Sequence, residues 1–207
     1  MPYSFRSEQW LPYPVETVFA FFADPQNLSA LMPPAQQARI DKLHLAQPSG
    51  AAAAQLPSRL AGVGSLISLS WRPLPSLPLR IRWLAEIIEF RTNDAFCDRQ
   101  VRGPFRYWLH KHRVRAVVDR GGPGVTVLTD EIDYELPFGL LGTLSHYFVH
   151  SQLEKAFAYR RAHLGEALAR TVATHEKSAS RSFTSAPADG SPSQPEMAAP
   201  SRSLPPR

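Results

Sequence analysis

His110 and His112 are the residues of this chain whose type and spacing most directly suggest chemistry. They stand two apart in Arg106 to Asp119, a stretch that alternates as a β-strand, so both rings fall on one face. That face also carries Trp108, Val114, Ala116 and Val118, and from Trp108 onward it holds no Lys or Arg. The opposite face carries Tyr107, Leu109, Lys111, Arg113, Arg115 and Val117. A face without cations is the one a half-buried sheet turns inward. The next stretch, Val125 to Leu136, puts Leu128, Asp130, Ile132, Tyr134 and Leu136 on its matching face. Ala95 to Arg102 puts Phe96, Asp98 and Gln100 on its own. Phe96, Asp98, Gln100, Trp108, His110, His112, Leu128, Asp130, Ile132 and Tyr134 are therefore the candidate ligand-binding residues. A mainly apolar lining with a few polar groups suits a pocket that grips an apolar body and orients it by hydrogen bonds.

Several chemistries fit these side chains. Imidazole titrates near neutral pH, so His110 and His112 with Asp130 are candidate catalytic acid–base groups. Two histidines at this spacing are also two metal ligands, with Asp130 as the nearby third candidate. Two histidines do not close a ligand set, so neither metal nor cofactor is assigned. The plainest role is that of hydrogen-bonded structural or ligand-orienting groups, because buried polar atoms find partners. Asp98 and Asp130 then serve neighbouring Arg or His groups rather than paired-carboxylate catalysis. His146 and His150 lie four apart on a helix, but no glutamate follows the first as in His-Glu-x-x-His, and a surface or packing role is expected of them. Gly121, Gly122 and Gly124 precede no Lys-Ser/Thr and form no phosphate loop. Cys97 lies in a strand without a Cys-His-Asn constellation and reads as a packed thiol.

The elements that position these residues follow from periodicity and punctuation. Tyr3 to Trp10 alternates as a strand that Pro12 and Pro14 end. Val15, Val18, Phe19 and Phe22 have helical spacing. Asp24 caps, and Pro25 opens, a second short helix that stops before Pro33-Pro34. Strands are predicted over Gln36 to Leu45, Ser65 to Arg72 and Leu79 to Phe90, ahead of the three named above. Pro48 to Gly62 reads as a long flexible insertion, and Gly121 to Gly124 as a hairpin loop. Leu140 to Arg170 is a long amphipathic helix with Leu141, Leu144, Phe148, Leu153, Phe157, Leu164 and Leu168 in its stripe. Strand, two short helices, hairpin-linked strands and one long helix argue an α+β fold with an antiparallel sheet.

Composition bounds the rest. Of 207 residues, 43% are apolar and 20% charged, an ordinary globular balance. Residues 1–170 are expected to form one domain. Residues 171–207, rich in Ser, Ala and Pro, are expected to be a disordered tail that buries too little to offset chain entropy. The net charge of +5 is scattered, with no basic run of five, so nucleic acid is not an expected partner. No apolar stretch reaches the length of a membrane span. Met1 to Phe5 does not open like a secretory leader, and one cysteine suits a reducing compartment, so a cytoplasmic location is expected.

A set of segments then carries a resemblance. They are Gln9-Trp10-Leu11-Pro12, Val18-Phe19-Ala20-Phe21-Phe22-Ala23-Asp24-Pro25, Asn27-Leu28 and Met32-Pro33-Pro34. Further on come Phe96 to Gln100, Gly103-Pro104-Phe105, Trp108-Leu109-His110-Lys111-His112, Asp130 to Gly139, and Tyr159-Arg160. In this order and spacing the chain resembles the SRPBCC ligand-binding proteins of the START/Bet v 1-like superfamily, in a bacterial cyclase/dehydrase-like branch. The resemblance implies a helix-grip fold: a curved antiparallel sheet around a long C-terminal helix, with two short N-terminal helices and a cavity between. The function it implies is binding of a small hydrophobic, aromatic or lipid-like molecule. A polyketide cyclase/dehydratase-type lyase using His110, His112 and Asp130 is the alternative. A partner-binding or membrane-peripheral protein tethered by its tail is the third reading. Oligomeric state is left open.

Overall fold

The computed structural model describes residues 2–50, 56–74, 76, 78–117, 124–137 and 141–184, with only the backbone for 141–144 and 175–184. Strand β1 (Tyr3–Leu11) leads to helix α1 (Val15–Ala23) and to short 3-10 helices over Pro25–Leu31 and Pro34–Gln36. Six strands follow: β2 (Arg39–His44), β3 (Leu66–Trp71), β4 (Ile81–Arg91), β5 (Ala95–Arg102), β6 (Tyr107–Val117) and β7 (Val125–Glu135). Helix α2 (Leu141–Thr184) closes the order. The strands form one seven-stranded antiparallel sheet in the order β1-β7-β6-β5-β4-β3-β2. Contacts divide the chain into two units, Met1–Ala173 and Thr174–Arg207, and the sheet and the site lie in the first.

Local chemistry sets the turns. Pro14 supplies a fixed φ just before the first turn of α1, whose Val18, Phe19 and Phe21 are buried. Asp24 accepts from the Gln26 backbone N–H at 3.0 Å and so caps the helical turn that Pro25 opens. Alternation holds along β1, where Ser4, Arg6, Glu8 and Trp10 are exposed and Ser7 and Leu11 buried. On β6 the inward set Trp108, His110, His112 and Val114 is covered as expected, whereas Ala116 near the strand end is exposed. Val118, the hairpin residues Gly121 to Pro123, residues 138–140 and the side chains of Leu141 and Leu144 lie outside what is described.

Helix α2 is fastened to the sheet by apolar contact and a few hydrogen bonds. Leu164, Ala167 and Leu168 join Val18, Phe19 and Leu128 in one buried cluster, and Phe157 joins Ile132 and Tyr134 in another. The Arg161 guanidinium donates to Ser7 Oγ at 3.0 Å, and Tyr13 Oη–H donates to the Gly165 carbonyl at 3.3 Å. Burying each such large apolar side chain is worth about 1.5–3 kcal/mol.

Two sequence expectations change. The long helix does not stop at Arg170 but continues to Thr184. Thr171 to Thr184 contains neither proline nor glycine and includes the strong helix formers Ala, Glu, Lys and Arg, so the chain has no local reason to break there. The rest of the expected tail, 185–207, lies outside the described residues. The end of the Pro48 to Gly62 segment is also not loose. Leu60 and Ala61 are buried in the main cluster, and Arg59 pairs with Asp24 at 2.7 Å. A Cβ at Gly62 would fall 2.5 Å from the Pro48 nitrogen, so only glycine lets this loop close on itself. Residues 51–55 of the segment are not described.

Candidate functional site

Between sheet, α1 and α2 lies a cavity of about 380 Å³. Its walls are largely apolar: Ile67 and Leu69 of β3, Trp83 and Ile87 of β4, Leu28 and Leu31 beyond α1, and Leu153 and Ala156 of α2. Phe148, half exposed, stands at its margin. Four polar side chains meet on one stretch of wall, namely Asp98, His110, His112 and Arg160.

Register assembles that cluster. Asp98 of β5 lies directly opposite His110 of β6, and His112, two residues on, lies opposite Asp130 of β7. Asp130 Oδ1 is the hub. It is 3.0 Å from His110 Nε2, 2.7 Å from His112 Nδ1 and 3.1 Å from Arg160 Nη1. The Asp130 side chain is only 4% exposed, so these neighbours replace water around its charge. The His110 contact is a hydrogen bond, whereas His112 Nδ1 sits close but off the line a hydrogen bond needs. Arg160 also lies over the Phe157 ring at 4.5 Å and the Phe22 ring at 5.6 Å, which holds its guanidinium from α2.

The electrostatics follow from burial and these contacts. Burial opposes ionisation of Asp130, but Arg160, the nearby His112 and the hydrogen bond from His110 together hold its carboxyl well below the usual carboxylate range. Burial pushes the Asp98 carboxyl up to about 6, against the pull of His110 and Arg160. Burial, with the adjacent His112, lowers His110, while Asp130 resists that change. An ionised Asp130 only accepts hydrogen bonds, so the neutral His110 ring carries its proton on Nε2. Its Nδ1 lone pair then faces Asp98 Oδ2 at 3.7 Å. The outcome is a buried carboxyl–imidazole pair, Asp98 and His110, 3.7 Å apart at a cavity wall, backed by the charge of Asp130.

Half of the sequence-derived ligand-binding residues line the cavity: Phe96, Asp98, Trp108, His110 and His112. Gln100, Leu128, Asp130, Ile132 and Tyr134 do not. Gln100 is turned onto the Gly103-Pro104-Phe105 turn, where its amide donates to the Phe105 carbonyl at 2.7 Å and accepts from the Phe105 N–H at 3.2 Å. Leu128, Ile132 and Tyr134 point to the correct face, but that part of the sheet packs against α1 and α2. Tyr134 is fully buried and its hydroxyl meets His146 Nδ1 at 3.1 Å. Asp130 is one layer behind the wall and acts through His110, His112 and Arg160.

Arg160 is a cavity group that alternation of the strands does not reveal. Its signal lies in the helix: Arg160 and Arg161 are cations flanking the register of the apolar stripe between Phe157 and Leu164, and the sequence does not say which of them reaches the cavity. His146 takes a packing role and His150 a partly exposed one. His146 stacks on Tyr3 with 3.8 Å between centroids, and His150 pairs with Glu154 at 3.6 Å. Cys97 is buried, and burial followed by the charge of Asp98 pushes its thiol up to about 12.

Comparison with solved structures identifies the fold. TTHA0849 from Thermus thermophilus superposes with a TM-score of 0.52 at 18% identity, over 82% of this chain and 99% of that one. Norcoclaurine synthase from Thalictrum flavum, solved with dopamine and hydroxybenzaldehyde, gives 0.51 at 13% identity, over 84% and 88%. Ara h 8.0201 gives 0.50 at 15% identity, over 82% and 99%. The chain has the Bet v 1-like helix-grip fold: a seven-stranded antiparallel sheet, short N-terminal helices and a long C-terminal helix. No family model matches the sequence, and no curated protein matches it closely enough to add to this. Among the described residues, no helix is long and apolar enough to cross a membrane.

Proposed function

We propose that this chain is an SRPBCC-type binding protein that holds one small hydrophobic or aromatic molecule in the cavity. The apolar body of the ligand packs among Trp83, Ile87, Phe96 and Leu153, and its polar end meets Asp98, His110, His112 and Arg160. The observation that carries this reading is the polar cluster of Asp98, His110, His112 and Arg160 on a mainly apolar wall around about 380 Å³, a volume in the range of small-molecule sites. A further support is that a protein of the same fold, norcoclaurine synthase, has been solved with two small aromatic compounds bound. The test is titration with a naphthalene-sulfonate fluorophore. Saturable binding of one equivalent is expected, weakened at least about tenfold by Ala156→Trp, whose side chain would occupy the cavity. A probe that binds the wild type only non-saturably, or binds Ala156→Trp equally well, ends the proposal.

One observation favours a second reading, an enzyme of the cyclase/dehydratase type. Asp98 and His110 face each other across 3.7 Å at the cavity wall, and Asp130 fixes the tautomer of His110. Such a pair can take a proton from carbon and return it to a leaving oxygen of a bound substrate. In that reading His110→Gln abolishes turnover of a bound polyketide-like substrate while the fluorophore still binds. Unchanged turnover removes the reading.

A further inference from the structure

We propose that Asp98, His110 and His112 form a divalent transition-metal site that opens into the cavity, with Asp130 holding the two imidazoles from behind. Each of the three side chains offers one ligand atom, and these atoms all lie within 4.8 Å of one another. A bound ion at bond lengths of about 2.0–2.2 Å sets its ligands roughly 3–3.6 Å apart, so binding requires the three side chains to draw in by about 1–2 Å. The backbone is already fixed by the sheet. Asp98 and His110 are cross-strand neighbours, and His112 follows on the same face by the two-residue period of β6.

The orientation of the rings points the same way. Asp130 Oδ1 takes one nitrogen of each ring, Nε2 of His110 and Nδ1 of His112. That leaves Nδ1 of His110, which already faces Asp98, and Nε2 of His112 as lone-pair donors. A carboxylate behind a ligating imidazole fixes its tautomer and raises its basicity, and this one carboxylate serves two. His112 supplies an independent sign. Its side chain is 9% exposed, and its Nδ1 is a buried atom that makes no well-directed hydrogen bond. An ion on Nε2 would fix that ring and align Nδ1–H on Asp130.

Charge limits what binds beside the ion. Two carboxylates and Arg160 leave the cluster with one net negative charge when both histidines are neutral, and a divalent ion reverses it. Three protein ligands leave at least one open position toward the cavity. The group suited to that position is an anionic or carbonyl oxygen, a carboxylate, phenolate or enolate at the end of an apolar body. Two nitrogens and one carboxylate oxygen suit Zn²⁺, Co²⁺ or Fe²⁺ over Mg²⁺ or Ca²⁺.

The experiment uses the untagged full chain, freed of metal with a chelator, dialysed and titrated with Zn²⁺ by calorimetry and with Co²⁺ by visible absorption. No cavity ligand is added, so the result is separate from the fluorophore titration. One equivalent with a micromolar or tighter Kd is expected, together with cobalt–imidazole bands. Asp98→Asn and His112→Gln should each lose about 100-fold or more in affinity, and Asp130→Asn about 10–100-fold. The exposed His44→Gln should change nothing. Wild-type protein that takes up well under one equivalent, or shows the cobalt spectrum of free aqueous ion, overturns the site whatever the variants do. Affinity retained in His112→Gln, with circular dichroism confirming the fold, overturns it as well.

Discussion

Replacing Arg160 by Met tests the electrostatic logic of the site. Met keeps most of the aliphatic volume and removes the guanidinium. Asp130, 4% exposed, would lose its partner at 3.1 Å and keep only the two imidazoles. Breaking a buried pair from one side costs about 3–5 kcal/mol. Here the His110 hydrogen bond and the His112 contact remain on Asp130, so the loss is nearer that of one charge-assisted hydrogen bond, about 2 kcal/mol. Loss of the cation over the Phe157 and Phe22 rings adds about 1 kcal/mol. The sum, about 3 kcal/mol, corresponds to a drop of roughly 6–12 °C in Tm for a domain of this size. The assay is urea and thermal unfolding by circular dichroism at neutral pH in the presence of chelator. Arg160→Met combined with Asp130→Asn should recover at least half of the loss, because the unpaired charge is gone. A single-variant loss under about 1 kcal/mol, or a double variant at the full sum of the two singles, refutes this account of Asp130.

The pH dependence of the metal-free chain separates the two buried aspartates. Asp130 is held below its unfolded value, so its contribution to stability is present above about pH 4 and is lost as pH falls through its folded value. Asp98 is raised from 3.8 to about 6, so it penalises the fold as pH rises through that interval. Asp98→Asn should therefore stabilise the protein by roughly 2 kcal/mol near pH 8, with little difference near pH 4; equal effects at both pH values would contradict the shift. Phe157→Ala removes a buried ring from Ile132, Tyr134 and Arg160 and should cost about 3–5 kcal/mol by urea unfolding. Cys97 should resist iodoacetamide in native protein near pH 8 and react at once in urea; native alkylation at the rate of a free thiol would contradict its burial. Ending the chain after Thr184 should leave Tm unchanged within about 1 °C, because the Ser/Ala/Pro composition beyond it offers little to bury.

Much of the fold is legible in local chemistry. Pro14, the Asp24-Pro25 pair and the alternation of β1, β6 and β7 are signals that act over a few residues, and the structure follows them. Differences arise at element ends, where propensity is weak. Gln36 belongs to a 3-10 turn rather than to β2, and α2 runs past Arg170. Segment 56–62 reads as flexible from its Pro and Gly content, yet Leu60 is fully buried. Its partners Val18 and Phe19 lie far away along the chain, and no local pattern announces a contact at that distance.

By itself the sequence decided which residues of β5, β6 and β7 share the inward face, because side-chain direction repeats every two residues whatever the strand packs against. Tertiary structure alone decided which inward residues meet open space. Helix α2 covers Leu128, Ile132 and Tyr134 and leaves Phe96, Asp98, Trp108, His110 and His112 on the cavity wall. It also brings Arg160, thirty residues along the chain, within 3.1 Å of Asp130. Alternation is a property of one strand, whereas coverage and charge pairing depend on where a distant helix comes to rest.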